Sequence, residues 1–352
     1  MNISRQDFGK LRSGEHIEII TLVNDRGIEV SILTLGGIIQ AVKTPDEDGH
    51  FKDIVLGYDD IQGYEKDPYY MGAIVGPVAG RISYAQFPLY NKIHQLEANA
   101  DEHHLHGGSA GLNFKIWEAD VSKRQDSVKA VLRAHANDGE GGYPGNRTFK
   151  TTYILNNKNQ LMIYFDAETD ADTIVNMTSH SYFNLSAQEN DGIGEHLVMI
   201  NALKTLAVDE KLIPNGNFDY VLGKATNFSR GKTLKEALSQ QEDGFDHVYI
   251  LNKEMGKFGI SAKVVHQQSG RVLEVVTNQP ALVFYTNNHS DGATLGKKTQ
   301  PILKHGSFCL EAQQLADAPN HPNFPSILIK AGETYKSRTQ LTFGLASETH
   351  HH

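Results

Sequence analysis

The chain has 352 residues, of which 39% are hydrophobic and 21% charged, with 33 Lys and Arg against 42 Asp and Glu for a formal net charge of −9. That length can bury a large core. The acidic balance, with no long Lys/Arg cluster, excludes nucleic acid or an anionic membrane as the main partner, since both demand a concentrated basic surface. A single cysteine, Cys309, cannot close an intrachain disulfide, so the fold needs no oxidising compartment.

Met1–Asp7 lacks a basic-then-apolar leader pattern, and no apolar run approaches the ~20 residues that span a bilayer, so a cytoplasmic location is expected. From there onward, alternation of apolar and polar residues dominates. His16–Leu22 and Gly27–Ile32 flank Asn24-Asp25-Arg26-Gly27, which reads as a hairpin turn with Gly27 near a left-handed position. The pattern recurs at Val128–Leu132, Thr148–Leu155, Leu161–Asp166, Ile260–His266, Arg271–Val276, Ala281–Thr286 and Arg338–Phe343. Asn156–Asn159 and Gln267–Gly270 read as polar turns between paired strands. One short helix is expected, from Thr233 to Leu238, with Thr233 or Lys232 near its start and Glu236 in its first turn. Many strands and almost no helices predict an all-β protein, a large single-domain antiparallel sandwich over residues 1–346. Residues 347–352 read as a tail, with His350-His351-His352 as part of a purification tag.

Four loops of unusual composition interrupt the strands: 76–82, 103–108, 139–146 and 243–247. His103, His104 and His106 raise a metal site. On an extended segment His104 and His106 share a face, but no second compact ligand motif accompanies them, so no metal is expected. The glycines of 76–80 and 107–111 lack the spacing and strand–loop–helix context of a phosphate loop, and no nucleotide cofactor is expected. Gly107-Gly108-Ser109-Ala110-Gly111 matches a nucleophile elbow by letter only, and reads as a flexible glycine turn. Cys309, inside the apolar run Phe308-Cys309-Leu310, reads as a buried inert thiol.

Acid–base chemistry remains. Thr178-Ser179-His180-Ser181-Tyr182-Phe183-Asn184-Leu185 sets one imidazole, the side chain that titrates nearest neutrality, among hydroxyls and aromatics. The alternative for His180 alone is a satisfied core histidine. Glu311 follows three apolar residues of an expected strand, where a carboxylate is costly to bury unless partnered; the alternative is an edge residue facing solvent.

Taken together, Leu105-His106-Gly107-Gly108, His180–Leu185, Gly244-Phe245-Asp246-His247 and Leu310-Glu311-Ala312-Gln313 resemble, in order and spacing, the motifs of the galactose mutarotase (aldose 1-epimerase) family. Segments 138–146, 279–286 and Phe324-Pro325 extend the resemblance over roughly residues 10 to 345. It implies a β-sandwich with an open sugar-binding cleft and no cofactor. It also implies roles: Glu311 as general base, His180 as general acid, His106 as a second histidine near the sugar's ring oxygen, and Asp246 and Arg81 as hydroxyl-binding residues. Val283 falls where some relatives carry a Gln or an aromatic residue beside the sugar. Tyr182 and Phe183 read as core packing, with an aromatic face against a sugar ring as the other reading.

The resemblance implies mutarotation of free aldohexoses, with a small-molecule sugar as partner and the protein a monomer or homodimer. Gly80 and Pro77 depart from the Asn and Arg common in the family, which widens the cleft and leaves sugar preference open, a larger sugar such as maltose included. A silent sugar-binding module is the rival of another class; the retention of both His180 and Glu311 speaks against it, since binding alone needs neither an acid nor a base.

Overall fold

The structure, a computed structural model, describes residues 1–188 and 191–350. His351 and His352, read above as part of a tag, lie outside the described residues. Three antiparallel sheets make up most of it. The largest has nine strands, running in space Glu118–Lys123, Ser127–Ala136, Arg147–Asn156, Gln160–Thr169, Thr334–Leu345, Arg271–Thr277, Gly259–His266, His196–Ile200 and Lys232–Thr233. A second sheet of five strands, Asn2–Lys10 through Phe51–Asp53, is a simple meander. The third carries the cleft, in the order Pro214–Tyr220, Ala202–Val208, Asp246–Leu251, Ala281–Tyr285 and Cys309–Gln313.

The expected strands coincide with these elements, except that Gly27 and Ile28 precede the strand Glu29–Leu33 and Thr286 follows Ala281–Tyr285, and the most regular of them alternate in burial as in sequence. Gln160–Thr169 buries Leu161, Ile163, Phe165 and Ala167 and leaves the residues between them half-exposed. Asn24 closes the expected first hairpin by accepting the amide N–H groups of Arg26 and Ile28 on its side-chain oxygen, and Gly27 adopts φ +87°. The expected helix is Leu234–Gln240, with the Thr233 hydroxyl accepting from the Glu236 N–H at its N-terminus. A further short helix, Ile61–Glu65, capped by Asp60, carries no strong sequence signal. Among the described residues no helix is long and apolar enough to cross a membrane.

One apolar core joins the sheets. It runs from Ile20, Val30 and Ile32 of the meander through Leu132, Phe149 and Tyr153 of the large sheet to Leu282, Phe284 and Leu310 of the third, with Phe245 just ahead of the strand Asp246–Leu251. The third sheet therefore gives one face to this core. Period-two alternation turns Asp246, Val283, Glu311 and Gln313 to the opposite face, which lines a cleft.

Candidate active site

Register places the cleft residues side by side. Val283 pairs with Val248 on one side and Glu311 on the other, while Tyr285 pairs with Asp246 and Cys309. Glu311 thus sits on the last strand of its sheet, yet only 3% of its side chain is exposed. The solvent-facing alternative for Glu311 is overturned, because the 178–183 segment runs along the open edge of that strand, bridging Phe183 to Phe308 and donating the Thr178 hydroxyl to the Ala312 carbonyl (2.9 Å). His180 comes from this segment. It follows the two-residue strand Thr178–Ser179, its N–H donates to the Ala73 carbonyl, and its own carbonyl accepts from Gly72. Its Nε2 lies 3.4 Å from Glu311 Oε1 at the floor of the cleft.

His106 enters from the facing loop. The Gly80 N–H donates to His106 Nδ1 (2.9 Å), and the His106 N–H donates back to the Gly80 carbonyl (3.1 Å). With Nδ1 accepting, the neutral ring carries its proton on Nε2 as a donor. Its ring stands edge-on to that of His180, 5.5 Å between centroids. Gly107 must be glycine: at φ +87° an added Cβ would lie 2.2 Å from the Gly76 carbonyl oxygen.

All six sequence-nominated residues, Arg81, His106, His180, Asp246, Val283 and Glu311, line this one cleft of about 260 Å³. Among the described residues, the Arg81 guanidinium and the Asp246 carboxylate make no hydrogen bond or ion pair, so both are free to hold hydroxyls. The extended-segment reading that put His104 and His106 on one face is corrected. His106 has φ +53°, which breaks the alternation, and His104 is instead a core residue held by the Tyr143 hydroxyl (2.7 Å) and the Glu97 carbonyl (2.7 Å). Ser109 sits in a tight turn with its N–H on Glu97, as a glycine turn should.

Electrostatics follow burial. Desolvation holds the His180 pKa down to about 4. It lifts Glu311 well above the ordinary carboxylate value, the nearby Asp246 adding to the rise and Arg81 opposing it. Burial likewise raises Asp246, again opposed by Arg81, and pushes His106 well below the usual imidazole range, with His180 and Arg81 adding to the fall. His106, His180 and Glu311 bring one ligand atom each within 4.8 Å of one another, a donor set that would suit a divalent ion as well as a proton relay.

Sequence reasoning missed several neighbours of this pair. Tyr182, expected in the core, is buried but also stacks on His180 (5.1 Å, 20°) and lines the cleft; Phe183 is in the core. Cys309 is buried as expected, and its sulfur lies 3.6 Å from His180 Nδ1. Tyr285 and Gln313 also line the cleft. Each is two residues from a nominated one, so alternation was the signal that could have found them. Tyr70 lines the cleft as well and carried no such signal.

The family model described as aldose 1-epimerase matches residues 18–342. The galactose mutarotase of Rattus norvegicus is 39% identical over 98% of this chain and all of its own length. The maltose epimerase of Levilactobacillus brevis is 31% identical over 95% of this chain and 96% of its own. Among solved structures, galactose 1-epimerase from Lactobacillus acidophilus superposes with a TM-score of 0.85 at 28% identity, covering 98% of this chain and 99% of that one.

Proposed function

The chain belongs to the aldose 1-epimerase family, and from that membership we propose that it interconverts the α- and β-anomers of free aldohexoses, galactose and glucose foremost, with Glu311 and His180 as the proton-transfer pair. The observation that carries these roles is the 3.4 Å contact between His180 Nε2 and Glu311 Oε1 on the floor of a cleft whose Arg81 and Asp246 are unengaged.

Glu311 as carboxylate takes the C1 hydroxyl proton. The C1–O5 bond breaks, a carbonyl forms at C1, and the ring oxygen takes the proton of the His180 imidazolium. Rotation about C1–C2 presents the other aldehyde face, and the reverse transfers close the ring on the opposite anomer. His106, donating from Nε2, steadies the ring oxygen, while Arg81 and Asp246 hold hydroxyls.

The proton count supports this arrangement. The pair carries one proton before ring opening, as carboxylate and imidazolium, and one after it, as carboxylic acid and neutral imidazole. Burial raises Glu311 and lowers His180, so it favours the second, uncharged form and pushes in the direction of ring opening. At 3.4 Å the two groups can exchange that proton directly, so the charged form that starts ring opening is reached from the uncharged one without an outside donor.

A second reading concerns substrate size. Val283 beside Glu311, then Val248, with Leu206 and Val208 beyond, form an apolar strip leading away from the catalytic carboxylate. C4 lies opposite C1 in a pyranose, so a second ring linked at O4, as in maltose, would lie along this strip. Polarimetry of freshly dissolved α-galactose, α-glucose and α-maltose tests both readings. Acceleration with the hexoses is expected, and no acceleration with any sugar would sink the enzymatic reading.

A further inference from the structure

Tyr70 stands against both cleft histidines. Its ring meets His106 edge-on at 4.9 Å and stacks near His180 at 6.0 Å and 22°. Its backbone is left-handed, φ +58°, a conformation a bulky residue adopts only when its surroundings impose it. The imposing group is Asp67, whose carboxylate accepts the Tyr58 hydroxyl (2.7 Å) and the N–H groups of Tyr69 (3.0 Å) and Met71 (2.7 Å). Tyr182, which stacks on His180, ties the same turn down by donating its hydroxyl to the Tyr69 carbonyl (2.8 Å). All this holds in place a side chain whose hydroxyl has no hydrogen-bond partner among the described residues and which lines the cleft with Arg81.

Resting on the sugar-site reading above, we propose that Tyr70 is a further substrate-binding residue, engaging a sugar hydroxyl through its phenol oxygen while its ring braces His106 and His180. A residue needed only for packing would not require a strained backbone to leave its polar atom unpartnered in the cleft.

Equilibrium titration with galactose and a series of monodeoxygalactoses, read alongside polarimetry, tests this in the wild type and in Tyr70→Phe. Loss of one hydrogen bond should weaken galactose binding about 3- to 10-fold without lowering Tm. For one deoxy sugar, the one lacking the contacted hydroxyl, the two proteins should bind equally. Unchanged galactose affinity in Tyr70→Phe, or the same loss for every deoxy sugar, would overturn the contact. In Tyr70→Ala, kcat should fall about tenfold beyond the binding loss as the histidines lose their brace. A retained kcat would overturn the bracing role. A wild type that binds galactose without accelerating mutarotation would contradict the epimerase reading and leave the binding comparison to decide on Tyr70; one that binds no aldose overturns both.

Discussion

His196 in the large sheet and His180 in the cleft are both buried, and desolvation lowers both, His196 to about 3 and His180 to about 4. Their hydrogen bonds differ. His196 spends both ring nitrogens inside the protein: Nε2 accepts the Leu185 N–H (2.9 Å), and Nδ1 meets the Ile193 carbonyl (3.0 Å). His180 leaves Nε2 facing Glu311 and the cleft. Burial alone therefore does not mark a working histidine; an uncommitted nitrogen beside a buried carboxylate does.

Substituting each histidine should separate the two most strongly. His180→Asn is expected to lower kcat by about 10²–10⁴-fold with the fold retained, read by polarimetry and circular dichroism. His196→Ala should instead leave the buried Leu185 N–H unpaired and open a cavity in the core, costing about 2–4 kcal/mol in denaturant unfolding while activity per folded molecule persists. A catalytic loss in the His196 variant that matches that of His180 would erase the distinction.

Removing the unengaged polar groups should act on binding. Arg81→Ala and Asp246→Asn are each expected to raise KM about tenfold or more, through one or two lost hydrogen bonds to hydroxyls. An unchanged KM in both would remove them from the sugar site.

The pH dependence of the two regions should also part. His196 has a folded pKa depressed below that of the unfolded chain. Its contribution to stability is thus complete above about pH 6.5 and drains away as pH falls toward about 3, where the unfolded chain takes a proton the folded one refuses. Tm should decline over that window, and less steeply in His196→Gln. Activity depends on the one-proton state of the Glu311–His180 pair. Its acid limb should lie near pH 4, where His180 gains a second proton, instead of near an ordinary histidine value. An acid limb in kcat/KM near 6.5 would contradict the desolvated pair.

The comparison also locates what the sequence could say. Strands such as Gln160–Thr169 and Arg271–Thr277 were legible because one face is wet and the other dry, which imposes alternation. Cys309–Gln313 is buried on both faces, so its apolar run announced a strand and its carboxylate stood out, but nothing local told which face was the cleft. Asp246–Leu251 hid because its first residues follow the Asp243-Gly244 turn and read as loop. Resemblance, not periodicity, nominated Asp246 and Arg81. Tyr70 escaped because a left-handed tyrosine depends on Asp67 hydrogen bonds that no spacing rule anticipates.

The smallest effect is expected at Gly80. An Asn there tolerates φ +81°, and its Cβ would meet Ala316 Cβ at 3.3 Å and Gln313 Nε2 at 3.5 Å, so Gly80→Asn adds an amide beside Arg81 once Ala316 gives slightly. KM for galactose should shift about two- to fivefold downward. A rise in KM would mean that the open space itself serves the substrate.

The most direct test of the paired proton transfer is polarimetry of α-galactose with wild type and Glu311→Gln side by side. The amide keeps the shape and relieves a desolvated carboxyl, so the variant should be at least as stable as wild type yet lose about 10³-fold in kcat. A stable Glu311→Gln protein within tenfold of the wild-type rate would contradict the account.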